Sequence, residues 1–183
     1  GRVNPEILRI EKNSIKKVPP GSKSWKESKF NSIKSLTRPE IVEKLSERGF
    51  LPAIFFIFSR AGCDGAVSSC IREGLSLTNS LEKEEIRRVI ALKTHELPSE
   101  DFGVLGFHEW AQALERGIAA HHAGLLPMFK ETIEELFQSG LLKIVFATET
   151  LALGINMPAR SVVLEKLVKW NGESHVNVSP GEY

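Results

Sequence analysis

Gly117–Arg160 reads GIAAHHAGLLPMFKETIEELFQSGLLKIVFATETLALGINMPAR, and this stretch decides the fold class. Gly117–His121 is short and mostly apolar, as a strand would be. Leu126–Gln138 places Phe129, Ile133, Leu136 and Phe137 at helical spacing, and Gly140 supplies a stop. Leu142–Ala147 is a nearly uninterrupted apolar run, which is how a strand buried on both faces reads. Residues 149–153 predict a helical turn and Ser161–Lys166 a further strand. Strand, helix and strand in this rhythm imply a mostly parallel sheet with helices on both faces.

The pattern extends in both directions. Upstream, Leu51–Phe58 is another buried apolar strand, followed by a helix over Ala61–Glu73 that Gly74 closes. Ser80–Lys93 predicts a second helix, opened by Ser80 with Glu82-Lys83-Glu84 and striped by Leu81, Ile86, Val89 and Ile90. Phe107–Arg116 predicts a third. Residues 39–48 form a short helix with Thr37 as cap and Gly49 as stop. Downstream, Val168–Val178 with Asn171-Gly172 suggests a hairpin. The expected class is therefore α/β.

Composition narrows the function classes. The 183 residues are 42% hydrophobic, enough for a real core, so wholesale disorder is out. No apolar run approaches the ~18 residues of a membrane helix, and residues 1–20 carry no signal-peptide apolar block. Neither a membrane partner nor an obligate oligomer is expected. Net charge is +1, yet residues 1–48 hold twelve basic against six acidic side chains and the remainder is acidic. Residues 1–37 read as a basic linker or N-terminal extension. Cys63 and Cys70 make neither a disulfide framework nor a zinc motif and read as reduced thiols, which points to a cytoplasmic protein.

In a parallel sheet, ligands sit at the carboxyl ends of the strands. The polar, glycine-bearing segments fall there: Ser59-Arg60-Ala61-Gly62, His121-His122-Ala123-Gly124 and Thr148-Glu149-Thr150. Ser59 and Arg60 offer a hydroxyl, a guanidinium and helix-opening amides, a set that suits a phosphate. The histidine pair could be read as metal ligands, but neighbours on a strand point to opposite faces and no third ligand stands nearby. One imidazole or the Gly124 amide near a phosphate is the better reading. Gly154-Ile155-Asn156-Met157-Pro158 makes a tight reversal that fixes Asn156. The sequence has no GxxxxGK[ST] and no Asp-Glu pair after a strand, so it cannot build a complete P-loop ATPase by itself.

Pro52–Asp64 (PAIFFIFSRAGCD), Gly117–Pro127 (GIAAHHAGLLP) and Ile144–Arg160 (IVFATETLALGINMPAR) resemble motif IV, the HHAG segment and motif V of superkiller-type superfamily 2 helicases, most of all their actinobacterial HelY-like branch. The resemblance covers residues 49–183, with the three motifs in order at family spacing. It implies a RecA-like three-layer α/β/α fold. Residues 38–183 would be the second RecA-like domain of an ATP-dependent DNA or RNA helicase, incomplete at its C-terminal end. In the family Tyr183 would run into the QxxGRxGR motif, so the sequence is expected to be a piece of a longer enzyme and inactive alone.

Carried over by position, Ser59, Arg60, His122, Gly124, Thr148, Glu149 and Thr150 would lie along a single-stranded nucleic acid. Gly154 and Asn156 would approach the ATP ribose and couple the two sites. ATP and Mg2+ are the implied cofactors, Mg2+ held mainly by a first RecA-like domain of the same chain, and no metal site is expected here. Lys130 departs from the family, where arginine is common. The competing reading is a stand-alone nucleic-acid-binding module without motor activity.

Overall fold

The computed structural model describes residues 36–152, 157–165, 168–170 and 175–177. Residues 1–35 of the basic extension, Gly154, Asn156 and the Asn171-Gly172 turn lie outside the described residues. Within them the order is α1 (Arg38–Glu47), β1 (Ala53–Phe56), α2 (Arg60–Arg72), α3 (Ser80–Lys93), a 3-10 turn (Ser99–Asp101), α4 (Phe107–Glu115), β2 (Ile118–His121), α5 (Pro127–Gln138), β3 (Ile144–Ala147), a 3-10 turn (Glu149–Ala152), β4 (Ser161–Leu164), β5 (Val168–Trp170) and β6 (His175–Asn177). No helix among them is long and apolar enough to cross a membrane.

Capping residues set the helix starts. The Thr37 hydroxyl accepts from the Glu40 amide while the Glu40 carboxylate accepts from the Thr37 amide, a reciprocal box that opens α1 as its sequence suggests. α3 opens at Ser80 and runs to Lys93, as the sequence predicts. The cap is Asn79, one residue before Ser80, and Asn79 and Glu82 exchange side-chain bonds to each other's amides at 2.9 and 2.8 Å. An amide side chain accepts as well as a hydroxyl does, and its Oδ1 reaches the third residue of the helix.

Four strands form one parallel sheet in the order β2-β3-β1-β4. The register pairs Ala53 with Ile144 and Ser161, and Ile118 with Ile144, so the four strands start and finish level. β5 and β6 make a separate antiparallel pair, the expected hairpin arms.

Alternation along the strands splits the core into two layers. Ile54, Ala119, Val145 and Ala147 face one way, packed under Ile86 and Ile90 of α3, Leu114 of α4 and Ile133, Leu136 and Phe137 of α5. Ala53, Phe55, Ile118, Ile144 and Phe146 face the other, covered by Val42 of α1 and Cys63, Ala66 and Cys70 of α2. β1 and β3 are apolar on every residue because both of their faces are covered. Helices on both faces of a parallel sheet make this an α/β RecA-like fold.

Burial settles the two thiols. Loss of hydration pushes Cys63 up to about 12 and Cys70 up to about 11, with nearby carboxylates adding to each. Both stay protonated, and both are free.

Candidate nucleic-acid interface

Parallel pairing brings the three polar loops to one edge. β1, β2 and β3 end level, with Phe56 and His121 each opposite Ala147. The Ile57 amide donates to the Ala147 carbonyl at 2.8 Å, and the Thr148 amide donates to the His121 carbonyl at 3.2 Å. The loops that follow are therefore neighbours, although their residues lie far apart in the chain.

The first loop opens α2. Ser59 is the cap, and its Oγ accepts from the Gly62 amide at 3.2 Å. Gly62 is required by space: a Cβ there would stand 2.7 Å from Cγ2 of buried Ile57. The Gly62 carbonyl accepts from Arg38 at 3.2 Å. Arg60 is exposed, and its side chain makes no hydrogen bond or ion pair among the described residues.

The second loop divides the two histidines between the layers, as strand alternation requires. His121 is 4% exposed, and its Nε2 lies 2.8 Å from Glu134 Oε1 of α5. Its Nδ1 is buried and has no hydrogen-bond partner among the described residues. His122 is 5% exposed and turns the other way, its Nε2 3.0 Å from Asp64 Oδ1 of α2. The Gly124 amide donates to His122 Nδ1 at 3.1 Å. An amide can only donate, so Nδ1 accepts and the ring proton sits on Nε2, where it is given to Asp64. Both ring nitrogens and the Gly124 amide are thus committed inside the protein, where the sequence suggested one of them for a phosphate. Gly124 also lies in contact: a Cβ would come within 3.1 Å of His122 Nδ1 and 3.5 Å of Arg60 Cδ.

The third loop begins at Thr148, buried at 7%, and runs into the 3-10 turn with Glu149 exposed. The Thr148 carbonyl accepts from the Leu151 amide, which closes that turn. The side chain of Thr150 lies outside the described residues, as do Gly154 and Asn156. Among the described residues no three His, Cys, Asp or Glu side chains gather as metal ligands.

Three participants escape a reading of the sequence alone. Asp64 and Glu134 orient the histidines from separate helices, and Arg38 reaches Gly62 from α1. Only Asp64 has a local signal, since it stands one helical turn after Arg60 on α2.

Comparison with known proteins decides the family. No family model matches the chain. It is 60% identical over 146 residues to the probable helicase HelY of Mycobacterium tuberculosis, and 57% identical over 150 residues to that of Mycobacterium leprae. It is 40% identical over 147 residues to the antiviral helicase SKI2 of Saccharomyces cerevisiae. The chain belongs to the superkiller-type superfamily 2 helicases. These matches cover 80%, 82% and 80% of the chain but only 16%, 16% and 11% of the respective relatives.

Proposed function

We propose that residues 38–183 are the second RecA-like motor domain of an ATP-dependent nucleic-acid helicase and that the carboxyl edge of the sheet grips a single strand by its phosphates. One observation carries this reading: three loops from β1, β2 and β3 converge on one edge and leave the Arg60 guanidinium without a partner among the described residues. A guanidinium beside a capping hydroxyl binds phosphate without regard to base, as a motor that moves along any sequence needs. Ser59 and Arg60 are the exposed strand-facing groups, and the resemblance adds the hydroxyl of Thr148 at the buried start of the third loop. Glu149 borders them. Relatives bear names such as ATP-dependent RNA helicase, given to an Arabidopsis thaliana chloroplastic protein 45% identical over 159 residues.

The described residues alone do not fit ATP and Mg2+: they include no carboxylate cluster for the ion and no P-loop. Gly154 and Asn156, by the resemblance, are the candidates for the nucleotide, and a first RecA-like domain of the same polypeptide would supply the rest. When bound there, ATP would provide the free energy for cycling the strand contacts. The part of this domain is to hold the strand.

The test is Thr148→Ala in the full-length protein, followed by single-strand binding and duplex unwinding on DNA and RNA. Loss of a hydrogen bond to a charged phosphate should weaken binding by about 1.5–3 kcal/mol with the melting temperature retained. Unchanged affinity across a salt titration would remove Thr148 from the interface. The isolated chain should show no ATP turnover; turnover that survives further purification would overturn the division of labour between two domains.

A further inference from the structure

Arg60 and Asp64 stand at the first and fifth positions of α2, the spacing at which opposite charges on a helix pair. They do not pair. The Asp64 carboxylate instead takes the Nε2 proton of His122 at 3.0 Å, and no ion pair of Arg60 is formed among the described residues. His122 is well placed to hold that carboxylate. Its ring is 5% exposed, its tautomer is fixed by the Gly124 amide on Nδ1, and Leu125 closes the turn by donating to the His122 carbonyl. The ring cannot itself reach a strand, because both nitrogens are occupied.

From this we infer that His122 is a positioning residue that acts through Asp64. It draws the carboxylate away from Arg60 and keeps the guanidinium available for a phosphate. The turn it stabilises also stands beside the Arg60 stem: a Cβ on Gly124 would come within 3.5 Å of Arg60 Cδ. The inference rests on the strand-binding reading above and adds a role for Asp64, an acidic residue on an edge meant for an anion. Without His122, Asp64 is free to turn to the cation one helical turn before it, Arg60.

The consequence is a rescue that a contact residue or a merely structural residue would not give. In the full-length protein, single-strand affinity is measured by anisotropy over a range of salt concentrations. Arg60→Ala should lower the slope of log affinity against log salt by about 0.7, the share of one phosphate on a single strand. His122→Ala should weaken binding about 2- to 3-fold and lower the slope by part of that amount, since an arginine held in an ion pair for part of the time releases less counterion. Adding Asp64→Asn to His122→Ala should return both affinity and slope to those of the parent, because the competing charge is gone.

Asp64→Asn alone keeps an acceptor for Nε2 and should bind at least as tightly as the parent. A double variant as weak as His122→Ala overturns the inference. So does a His122→Ala variant that binds normally while Arg60→Ala does not. If Arg60→Ala itself binds normally, the strand-binding reading fails, and this inference falls with it. Melting temperatures of all four variants separate loss of fold from loss of binding.

Discussion

Arg38 and Glu165 join the first residue of α1 to the residue that follows β4. Nε and one terminal nitrogen of Arg38 meet the Glu165 carboxylate at 3.2, 3.0 and 2.9 Å, while the other terminal nitrogen reaches the Gly62 carbonyl. A planar fork fills this site as a lysine could not. Both side chains are about 30% exposed, so solvent weakens the pair, but the geometry is bidentate. Arg38→Gln should cost about 1–2 kcal/mol in urea unfolding, with Arg38→Lys losing nearly as much. A lysine variant as stable as the parent would mean that charge alone, and not the fork, holds α1 to the end of β4.

Gly62 and Gly65 lie three residues apart on α2, and the same substitution should move stability in opposite directions. At Gly62 a methyl would press on Ile57 Cγ2 at 2.7 Å, whereas at Gly65 nothing stands within 4 Å. Gly65→Ala should stabilise by about 0.5–1 kcal/mol through helix propensity. Gly62→Ala should destabilise by about 1–2 kcal/mol as the overpacked loop shifts. Thermal melts of the two variants decide the matter; Gly62→Ala more stable than the parent would refute the close approach.

Glu82 caps α3 and also bonds Lys143, the residue before β3, at 2.7 Å. The Lys143 bond chiefly, with the Asn79 amide assisting against partial burial, holds this carboxyl below its ordinary value of 4.5. A lowered folded value means that its stabilisation is complete above the unfolded value and is lost as pH falls through the folded one. Urea midpoints measured from pH 7 down to pH 3 should therefore drop more steeply for the parent than for Glu82→Gln. The substitution itself should cost about 1 kcal/mol at pH 7, from the lost cap and ion pair. Parallel pH profiles would exclude a role for the ionised carboxylate.

Asn156 separates a motor from a binding module. If it faces the nucleotide, Asn156→Ala in the full-length protein should lower strand-stimulated ATP turnover while single-strand affinity without nucleotide barely changes. If it only caps its own turn, the melting temperature falls and turnover per folded molecule persists. Turnover, binding and melting on one variant distinguish the two.

What could be read before the structure was the part written locally. The unbroken run through Ile54 and Phe55 announces a strand covered on both faces, and the spacing of Phe129, Ile133, Leu136 and Phe137 announces the helix beside it. Level loops at one edge follow from parallel strands. The pairing Asp64–His122 could not be read, because 58 residues separate the partners and only the sheet order brings them together. For the same reason the sequence could not show the internal partners of the His122 ring and the Gly124 amide: they come from another helix or depend on the turn that forms around them.

The central place of β1 carries a cost for the nascent chain. Among the described strands β1 is made first, yet its two neighbours, β3 and β4, begin about 90 and 110 residues later. Until they emerge, Ala53–Ile57 has neither of its flanking strands and remains an apolar segment with open edges on both sides. Pairings of such long sequence separation form late and slowly, and transiently unpaired strands invite association with other chains. Synthesis of this domain should therefore depend on protection of that one segment by a chaperone, and truncation anywhere before Leu164 should yield aggregates in place of a smaller folded unit.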